Sequence, residues 1–302
     1  MLSIVIPIHN EADNINSFFE EVVTSIPENI KFELIYVDDC STDDSLSRIQ
    51  SLKNKNSFVK YIRLSKNFGS HIAIKAGIDH SLGEMIFVIS GDGEEDPKIL
   101  NKMIDSLNNG NDVVWAIREN KKNNFLTMFF YKLLFKLSNK SISYFKDFAY
   151  ADYYLINSKV VEIIKNTKLK NTSLFGLISW IGLKQTQVSY IRRNRIYGKS
   201  KWNRTNKFNL AFDWLINFTP SPARLISFSG LFFSLISFIY LIVIVINSLS
   251  GVEIQGWAST IAVLLFFNGL LLIILGVIGE YIWRILSNNL DLPVYIIDKK
   301  SL

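Results

Sequence analysis

Short apolar runs alternate with amphipathic stretches over about the first 120 residues. The apolar runs are rich in β-branched residues and end in turn residues, which predicts strands, whereas the stretches between them have helical spacing. The predicted strands are Ser3–Ile8, Glu33–Val37, Val59–Ser65, Met85–Ser90 and Asp112–Ile117. The predicted helices are Asn14–Ser25, Thr42–Lys53, Ser70–Ser81 and Pro97–Asn108. This series predicts an α/β fold with a mostly parallel sheet and helices on both faces.

The pattern is less regular between Lys121 and Asn217, where Asn, Lys and aromatic residues are frequent. Here we predict an amphipathic helix at Phe125–Leu137 and a strand that returns to the sheet at Ala149–Ile156. The segment Phe208–Phe218 is predicted to lie along a membrane surface.

Two long apolar stretches follow, Leu225–Asn247 and Trp257–Ile278, and neither contains Asp, Glu, Lys, Arg or His. A helix needs about 20 apolar residues to cross a bilayer. The alternative is a pair of buried core helices, but both stretches are apolar on every face, which favours transmembrane helices. We therefore predict four parts: a soluble domain at 1–204, a juxtamembrane amphipathic helix at 205–222, a two-helix hairpin at 223–284 and a tail at 285–302.

The distribution of basic residues predicts the orientation of this hairpin. The connection Ser248–Gly256 contains no Lys or Arg, whereas basic residues precede the first apolar stretch and follow the second. By the positive-inside rule, both chain ends are cytoplasmic. The N-terminus runs directly into a strand-like run, so no signal peptide is expected. The single cysteine, Cys40, excludes an intrachain disulfide and fits a reducing compartment.

The net charge is +6, from 33 basic and 27 acidic residues, and its location matters more than its size. Eight basic residues and no acid lie in one segment: Lys184, Arg192, Arg193, Arg195, Lys199, Lys201, Arg204 and Lys207. Such a cluster beside a membrane helix attracts anionic head groups or phosphates. It could also be a topology signal alone, but Gly198 between Arg195 and Lys199 favours a loop that wraps a phosphate.

Polar clusters directly follow three of the predicted strands. They are Pro7 to Glu11, Asp38 to Asp43 and Ser90 to Pro97. Because ligands collect at the carboxyl ends of parallel strands, we expect these clusters to form one site.

The third cluster contains Asp92 and Glu94, whose carboxylates predict a divalent cation, Mg²⁺ or Mn²⁺, between them and an anionic ligand. The alternative is that Glu94, Glu95 and Asp96 only cap the helix that begins near Pro97. Asp38 and Asp39 are similarly open to two interpretations: they could belong to an ordinary N-cap region, or accept hydrogen bonds from a base or ribose.

The order of these motifs resembles the family 2 glycosyltransferases, and within them the polyprenyl-phosphate glycosyltransferases. The likeness covers nearly the whole chain. It includes Pro7, Asn10 and Glu11, then Val37 to Asp39 with Ser41 to Asp43, Leu64 to Gly69, Ala76-Gly77, the basic loop Arg195 to Trp202 and Gly276 to Tyr281. The two-helix tail favours the bactoprenol glucosyltransferase branch. Processive polysaccharide synthases have a Gln-x-x-Arg-Trp motif and more membrane helices, and this chain has neither.

The resemblance implies a GT-A fold in which Asp39 contacts the nucleoside, Asp92 and Glu94 hold Mg²⁺ or Mn²⁺, and Asp152 and Asp92 are catalytic. The implied nucleotide-sugar site comprises Pro7, Asn10, Glu11, Asp38, Asp39, Lys66, Asn67 and Asp92. The implied lipid-phosphate site comprises Arg192, Arg195, Lys199, Ser200 and Lys201. The chain departs from the family pattern at Ser90 and Glu94, and at Tyr154, where the family has Arg.

The resemblance implies inverting transfer of a sugar, with glucose from UDP-glucose expected, to undecaprenyl phosphate. The enzyme is expected at the cytoplasmic face of a bacterial inner membrane, as a homo-oligomer without a nucleic-acid partner. One alternative is a catalytically silent membrane protein that binds a nucleotide sugar or scaffolds a lipid flippase. Another is a mannosyl or amino-sugar transferase of the same family.

Overall fold

The computed structural model describes residues 1–119, 151–167, 174–191, 193, 221–250, 256–290 and 292–302, and eight strands in these ranges form one sheet. The strands are β1 Leu2–Ile8, β2 Phe32–Asp38, β3 Val59–Leu64, β4 Met85–Val88, β5 Val113–Arg118, β6 Ala151–Ile156, β7 Gln185–Tyr190 and β8 Ile297–Ser301. The helices are α1 Ala12–Ser25, α2 Ser45–Lys55, α3 Ser70–Asp79, α4 Leu100–Asn108, α5 Ser158–Asn166, α6 Leu174–Trp180, α7 Ser221–Leu249 and α8 Trp257–Asn289.

The strand order is β7-β5-β6-β4-β1-β2-β3-β8, and four of its seven pairings are parallel, which confirms the predicted mostly parallel sheet. The antiparallel pairings involve β6, the predicted return strand, and β8. In the parallel register Ile8 lies beside Asp38 and Val5 beside Val88. The loops after β1, β2 and β4 therefore open at one rim of the sheet.

The alternation of side chains along β1 divides the core into two layers. Ile4 and Ile6 face a layer that includes Phe18 and Val22 of α1, whereas Val5 belongs to the layer that includes residues of α3 and α5. Because successive strand residues point to opposite faces, an apolar run with no polar face requires helices on both sides. The central strands β1, β2 and β4 are therefore buried on both faces, and the polar clusters that follow them lie at the rim.

Several element boundaries differ from the sequence pattern. Helix α2 begins at Ser45 rather than Thr42, because the Asp43 carboxylate accepts hydrogen bonds from the amides of Ala12 and Ser45 and so stays in the loop. The helix predicted from Pro97 begins as a 3₁₀ turn at Pro97–Ile99 and continues as α4. The predicted segments Phe125–Leu137 and Phe208–Phe218 lie outside the described residues.

The C-terminal segment returns to the sheet as β8, which pairs with the edge strand β3. Two side-chain contacts accompany this pairing: the Tyr295 hydroxyl donates to Asp79 at 3.0 Å, and Arg63 Nε lies 3.6 Å from Asp298. The predicted tail at 285–302 thus adds a strand to the sheet. Its polar sequence has no apolar alternation, so the hydrophobic pattern does not predict it.

Helices α7 and α8 separate this strand from the rest of the sheet along the chain. Among the described residues one helical window, Phe266–Trp283 in α8, is long and apolar enough to cross a membrane, and it is not buried within the protein. Helix α7 is 29 residues long and also exposes large apolar side chains, including those of Phe228, Phe232 and Phe238. The ring of Phe233 in α7 lies 5.8 Å from that of Phe267 in α8, so the helices contact each other.

Candidate active site

The loop after β1 is hydrogen-bonded to the loop after β2. The amide of Asn10 donates to Ser41 Oγ at 2.9 Å, and Asn10 Oδ1 accepts from the Thr42 amide at 2.7 Å. The Glu11 amide donates to Ser45 Oγ at 3.0 Å. Asn10 has φ +54, a left-handed conformation that Asn adopts more readily than most residues. These contacts bring two of the three predicted polar clusters together.

Asp39 connects the end of β2 to the loop after β3. Its buried carboxylate accepts from the amides of Phe68 at 2.7 Å and Gly69 at 2.8 Å. Burial raises the pKa of this carboxyl above its ordinary value, although both amides oppose the rise. His9 contacts the Asp39 carbonyl oxygen through Nδ1 and Asn67 through Nε2, at 2.9 and 3.1 Å. Predicted residues Asp39 and Asn67 therefore meet at the same rim.

Asp38 stabilises this rim through contacts with Ser41 and Arg63. Its side chain is fully buried, Oδ1 accepts from the Ser41 amide at 3.0 Å, and Oδ2 lies 3.3 Å from Arg63 Nη1. Arg63 also donates to the Ser41 carbonyl oxygen at 3.3 Å. Arg63 is a residue that the motifs of the sequence did not indicate, because the strand that contains it also contains the charged Lys60.

The acidic turn after β4 is organised by its own carboxylates. Glu95 accepts from the Ser90 amide at 2.7 Å, and Asp96 accepts from the Lys98 amide at 3.1 Å, which caps the following 3₁₀ turn. The Asp92 carboxylate accepts from the Glu94 amide at 3.2 Å. The helix-capping alternative therefore applies to Asp96, and Glu95 stabilises the turn before it. The metal alternative for Asp92 and Glu94 stays a prediction.

The donor set of this turn fits a divalent cation that is shared with a substrate. In the described part of the chain, no group of three His, Cys, Asp or Glu side chains could hold a metal ion by itself. Mg²⁺ is commonly bound by one or two carboxylates together with substrate phosphates and water. Asp92 and Glu94 offer this number of carboxylates, so the residues fit a cation completed by a diphosphate.

Asp152 lies on β6, whose Tyr154 pairs with Val88 at the end of β4. Because β6 is antiparallel to β4, the backbone of Asp152 extends beyond Val88 towards the rim where the acidic turn begins. Tyr154 is fully buried, with its ring 5.3 Å from those of Trp115 and Phe175. Burial raises the pKa of its hydroxyl. The residue that replaces the family's Arg is therefore part of the core and is not exposed to a phosphate.

The basic segment, residues 192–201, begins beside the acidic turn. Of the segment 192–201 the structure describes residue 193, so the predicted lipid-phosphate residues Arg192, Arg195, Lys199, Ser200 and Lys201 lie outside the described residues. The amide of Arg193 donates to the Glu94 carbonyl oxygen at 3.0 Å. Lys66, another predicted site residue, is exposed, and its Nζ lies 4.9 Å from the centre of the Phe68 ring. Cationic and acidic groups thus occupy the same rim.

Similarity to known proteins identifies the family of this chain. The family model described as Glycosyl transferase family 2 matches residues 3–164. The uncharacterised glycosyltransferase YkcC of Bacillus subtilis is 36% identical, over 98% of this chain and 93% of its own length. The SfII prophage-derived bactoprenol glucosyl transferase of Shigella flexneri is 32% identical, over 99% of this chain and 97% of its own length.

A solved structure supports the fold. Mannosyl-3-phosphoglycerate synthase from Rubrobacter xylanophilus superposes with a TM-score of 0.51 at 16% identity, over 76% of this chain and 75% of its own. This likeness concerns the fold alone and agrees with the expected GT-A architecture. Together with the family match over the acidic turn and the strands around it, the similarity to relatives over nearly the full length shows that the chain belongs to glycosyltransferase family 2 and is a glycosyltransferase.

Proposed function

We propose that this glycosyltransferase moves glucose from UDP-glucose to undecaprenyl phosphate at the cytoplasmic face of a bacterial inner membrane, with inversion at the anomeric carbon. The main support is the 3.0 Å contact between the Arg193 amide and the Glu94 carbonyl oxygen, which joins the acidic turn to the start of the basic segment. A diphosphate donor and an anionic acceptor can therefore meet at one rim. The relative named as a bactoprenol glucosyl transferase, aligned over 99% of the chain, supports the sugar and the lipid class.

The donor would occupy the rim formed by the loops after β1, β2, β3 and β4. Its proposed ligands are Pro7, Asn10, Glu11, Asp38, Asp39, Lys66, Asn67 and Asp92, with Asp38 acting through the loop that it supports. Asp92 and Glu94 would hold Mg²⁺ or Mn²⁺, which would neutralise charge on the leaving diphosphate. The buried Asp39 fixes the loop after β3 and so shapes the nucleoside side of the rim.

The acceptor would reach the rim from the membrane side. A phosphate monoester has a second pKa of about 6, so its oxygen is largely anionic at neutral pH and attack needs no strong general base. We assign Asp152 to orientation of the acceptor phosphate or of its residual proton. Arg192, Arg195, Lys199, Ser200 and Lys201 would bind the phosphate, because fixed cationic donors lower the cost of bringing two anions together.

The pairing of β8 with β3 supports the proposed two-pass topology. A sheet lies on one side of a membrane, so the chain between β7 and β8 must cross the bilayer an even number of times. If Phe266–Trp283 crosses once, a second crossing is required. Helix α7, with its length of 29 residues and exposed apolar side chains, is the proposed second crossing. Both termini would then be cytoplasmic.

Two further expectations from the sequence stay predictions. One is the division at 1–204, 205–222, 223–284 and 285–302, within which the tail now contributes β8 to the sheet. The other is assembly into a homo-oligomer.

The proposal is tested with the purified full-length protein, undecaprenyl phosphate, MgCl₂ or MnCl₂, and a panel of radiolabelled nucleotide sugars. We expect a labelled glucolipid that is extracted into organic solvent, and only when the lipid phosphate and a divalent cation are both present. If transfer occurs only from a mannose or an amino-sugar donor, that sugar is the substrate and the assignment of glucose is wrong. Binding of a nucleotide sugar without transfer from any donor would contradict it.

A further inference from the structure

Arg193 connects three parts of the molecule that are distant in sequence. Its amide donates to the Glu94 carbonyl oxygen at 3.0 Å. Its guanidinium group contacts the Glu21 carboxylate on α1, and Nη2 lies 2.8 Å from Asp96 Oδ1 in the acidic turn. The start of the basic segment is thereby fixed to the same turn that contains Asp92 and Glu94.

The charge of Arg193 is balanced by its two contacts. Two carboxylates face one guanidinium group, so Arg193 has no excess positive charge to offer to a phosphate. The side chains of Arg193, Glu21 and Asp96 are 35%, 40% and 32% exposed. Ion pairs with this exposure contribute little to stability. The main consequence of these contacts is therefore the placement of Arg193 itself beside the acidic turn.

We propose that Arg193 is a positioning residue that couples binding of the divalent cation to binding of the acceptor phosphate. The inference rests on the proposed function, because it concerns the same two sites. Asp92, Glu94 and Asp96 belong to one short turn, so a cation that orders Asp92 and Glu94 also orders the two groups to which Arg193 binds. The beginning of the phosphate-binding segment is then held in place. Such coupling is reciprocal, since each ligand must favour the other equally.

Kinetics of the full-length protein test the coupling. In the wild-type enzyme we expect saturating MnCl₂ to lower the KM for undecaprenyl phosphate. Arg193→Gln should raise this KM about tenfold at saturating MnCl₂, within the usual range of coupling between sites, and should abolish its dependence on MnCl₂. The KM for UDP-glucose should change less than about twofold. Arg193→Lys should have a KM for undecaprenyl phosphate between those of the wild type and Arg193→Gln. Lysine keeps the charge but lacks the planar fork that contacts both carboxylates.

A matched control is Arg48→Gln. Arg48 also makes an ion pair, 3.4 Å from Asp13, and donates to the Ala12 carbonyl oxygen. It lies on α2, and both of these contacts are with the start of α1 and not with the acidic turn. This substitution should leave both KM values and the dependence on MnCl₂ unchanged. A similar effect of Arg48→Gln and Arg193→Gln would mean that loss of a surface ion pair, and not placement of the segment, is responsible, and would overturn the inference.

Direct binding of Mn²⁺ provides a measurement that does not depend on turnover. Electron paramagnetic resonance of MnCl₂ with UDP and no lipid should show several-fold weaker Mn²⁺ binding to Arg193→Gln than to the wild type. Unchanged Mn²⁺ affinity and an unchanged dependence of the lipid KM on MnCl₂ would overturn the coupling. A wild-type enzyme that transfers glucose with a lipid KM independent of MnCl₂ would also overturn it, yet leave the proposed function standing. Absence of transfer by the wild type would instead reject the proposed function.

Discussion

A β carbon on Gly91 would lie 2.2 Å from Cδ1 of Ile8, so a larger residue at position 91 would force the Ile8 side chain to move. Ile8 is buried and is the last residue of β1. The next glycine of the turn, Gly93, has φ +71, a backbone conformation that residues other than glycine rarely adopt. Two glycines therefore set the position and the shape of the turn that presents Asp92 and Glu94.

We expect Gly91→Ala to destabilise the protein by about 2 kcal/mol, because overpacking a tight contact forces neighbouring groups to move. Ile8→Val removes the clashing Cδ1 and should cost about 1 kcal/mol by itself. The double variant should be more stable than the sum of the two effects predicts, since the substitutions share one contact. Thermal unfolding in detergent measures the stability of the two single variants and of the double variant.

Gly83→Ala is the control for this cycle. A β carbon at Gly83 would lie 2.6 Å from the backbone nitrogen of Ser3, which no side-chain truncation can relieve. Adding Ile8→Val should therefore not reduce the destabilisation that Gly83→Ala causes. Simple additivity of Gly91→Ala and Ile8→Val would show that the turn does not depend on the contact with Ile8.

Asp92→Asn should reduce transfer at least about 100-fold, because the proposed cation loses a charged ligand where negative charge develops. The thermal unfolding midpoint should stay near that of the wild type. Asp105→Asn, an exposed substitution of the same kind on α4, should leave transfer unchanged. Steady-state transfer rates measure both variants, and near-normal activity of Asp92→Asn would remove the metal assignment.

Replacing Arg195 and Lys199 together by Gln should raise the KM for undecaprenyl phosphate about tenfold or more, because charge-assisted hydrogen bonds to the acceptor are lost. The KM for UDP-glucose should change much less. The same charge is removed by Lys31→Gln with Lys102→Gln, both exposed and distant in sequence from the basic segment. If the Arg195 and Lys199 variant has the kinetics of this control, the segment is a topology signal only.

Glu33 predicts a pH dependence of stability. Its buried carboxylate accepts from Ser3 Oγ at 2.5 Å and from the Leu82 amide at 2.6 Å, and it lies 2.8 Å from Lys60 Nζ. Burial raises the pKa of Glu33, but the contacts with Lys60, Ser3 and Leu82 outweigh it, so the pKa is lowered from its ordinary value of 4.5. The ionised form is thus favoured by folding, and its stabilisation is present above pH 4.5 and lost as the pH falls through the lowered pKa.

Glu33→Gln should therefore cost about 2 kcal/mol at neutral pH, the usual contribution of hydrogen bonds to a charged group. The difference from the wild type should shrink as the pH is lowered below 4.5, since the wild-type carboxyl then becomes neutral as well. Unfolding by denaturant at a series of pH values measures this difference. Glu28→Gln, at an exposed position, should have the same free energy of unfolding as the wild type at every pH. A pH-independent difference for Glu33→Gln would exclude the linkage.

The two-pass topology predicts which single cysteines react from outside the cell. In a Cys40→Ser background, Ser250→Cys should be labelled in intact cells by a maleimide that does not cross membranes. Ser301→Cys, on β8, should be labelled only after permeabilisation, because β8 pairs with the sheet. Labelling of Ser301→Cys in intact cells would contradict a cytoplasmic C-terminus.

The sequence predicted the elements whose pattern is local. The alternating strands and helices up to β5 were found with boundary errors of a few residues, and the return strand was confirmed as β6. The meeting of the loops with Asn10, Asp39 and Asp92 at one rim was also predictable, because the carboxyl ends of parallel strands share one edge of a sheet. The pattern could not show which acids of the third cluster stabilise the turn, as Glu95 and Asp96 do.

The amino-acid sequence alone determined the family, the mostly parallel sheet and the apolar character of α7 and α8, because these depend on residue order and periodicity. Only the tertiary structure decided that the polar segment Ile297–Ser301 pairs with β3, that Glu95 and Asp96 support the acidic turn, and that Arg193 binds this turn. Such contacts join residues that are far apart in the chain, or distinguish neighbours of the same type. They depend on how the folded backbone aims each hydrogen-bonding group, and no local pattern encodes that direction.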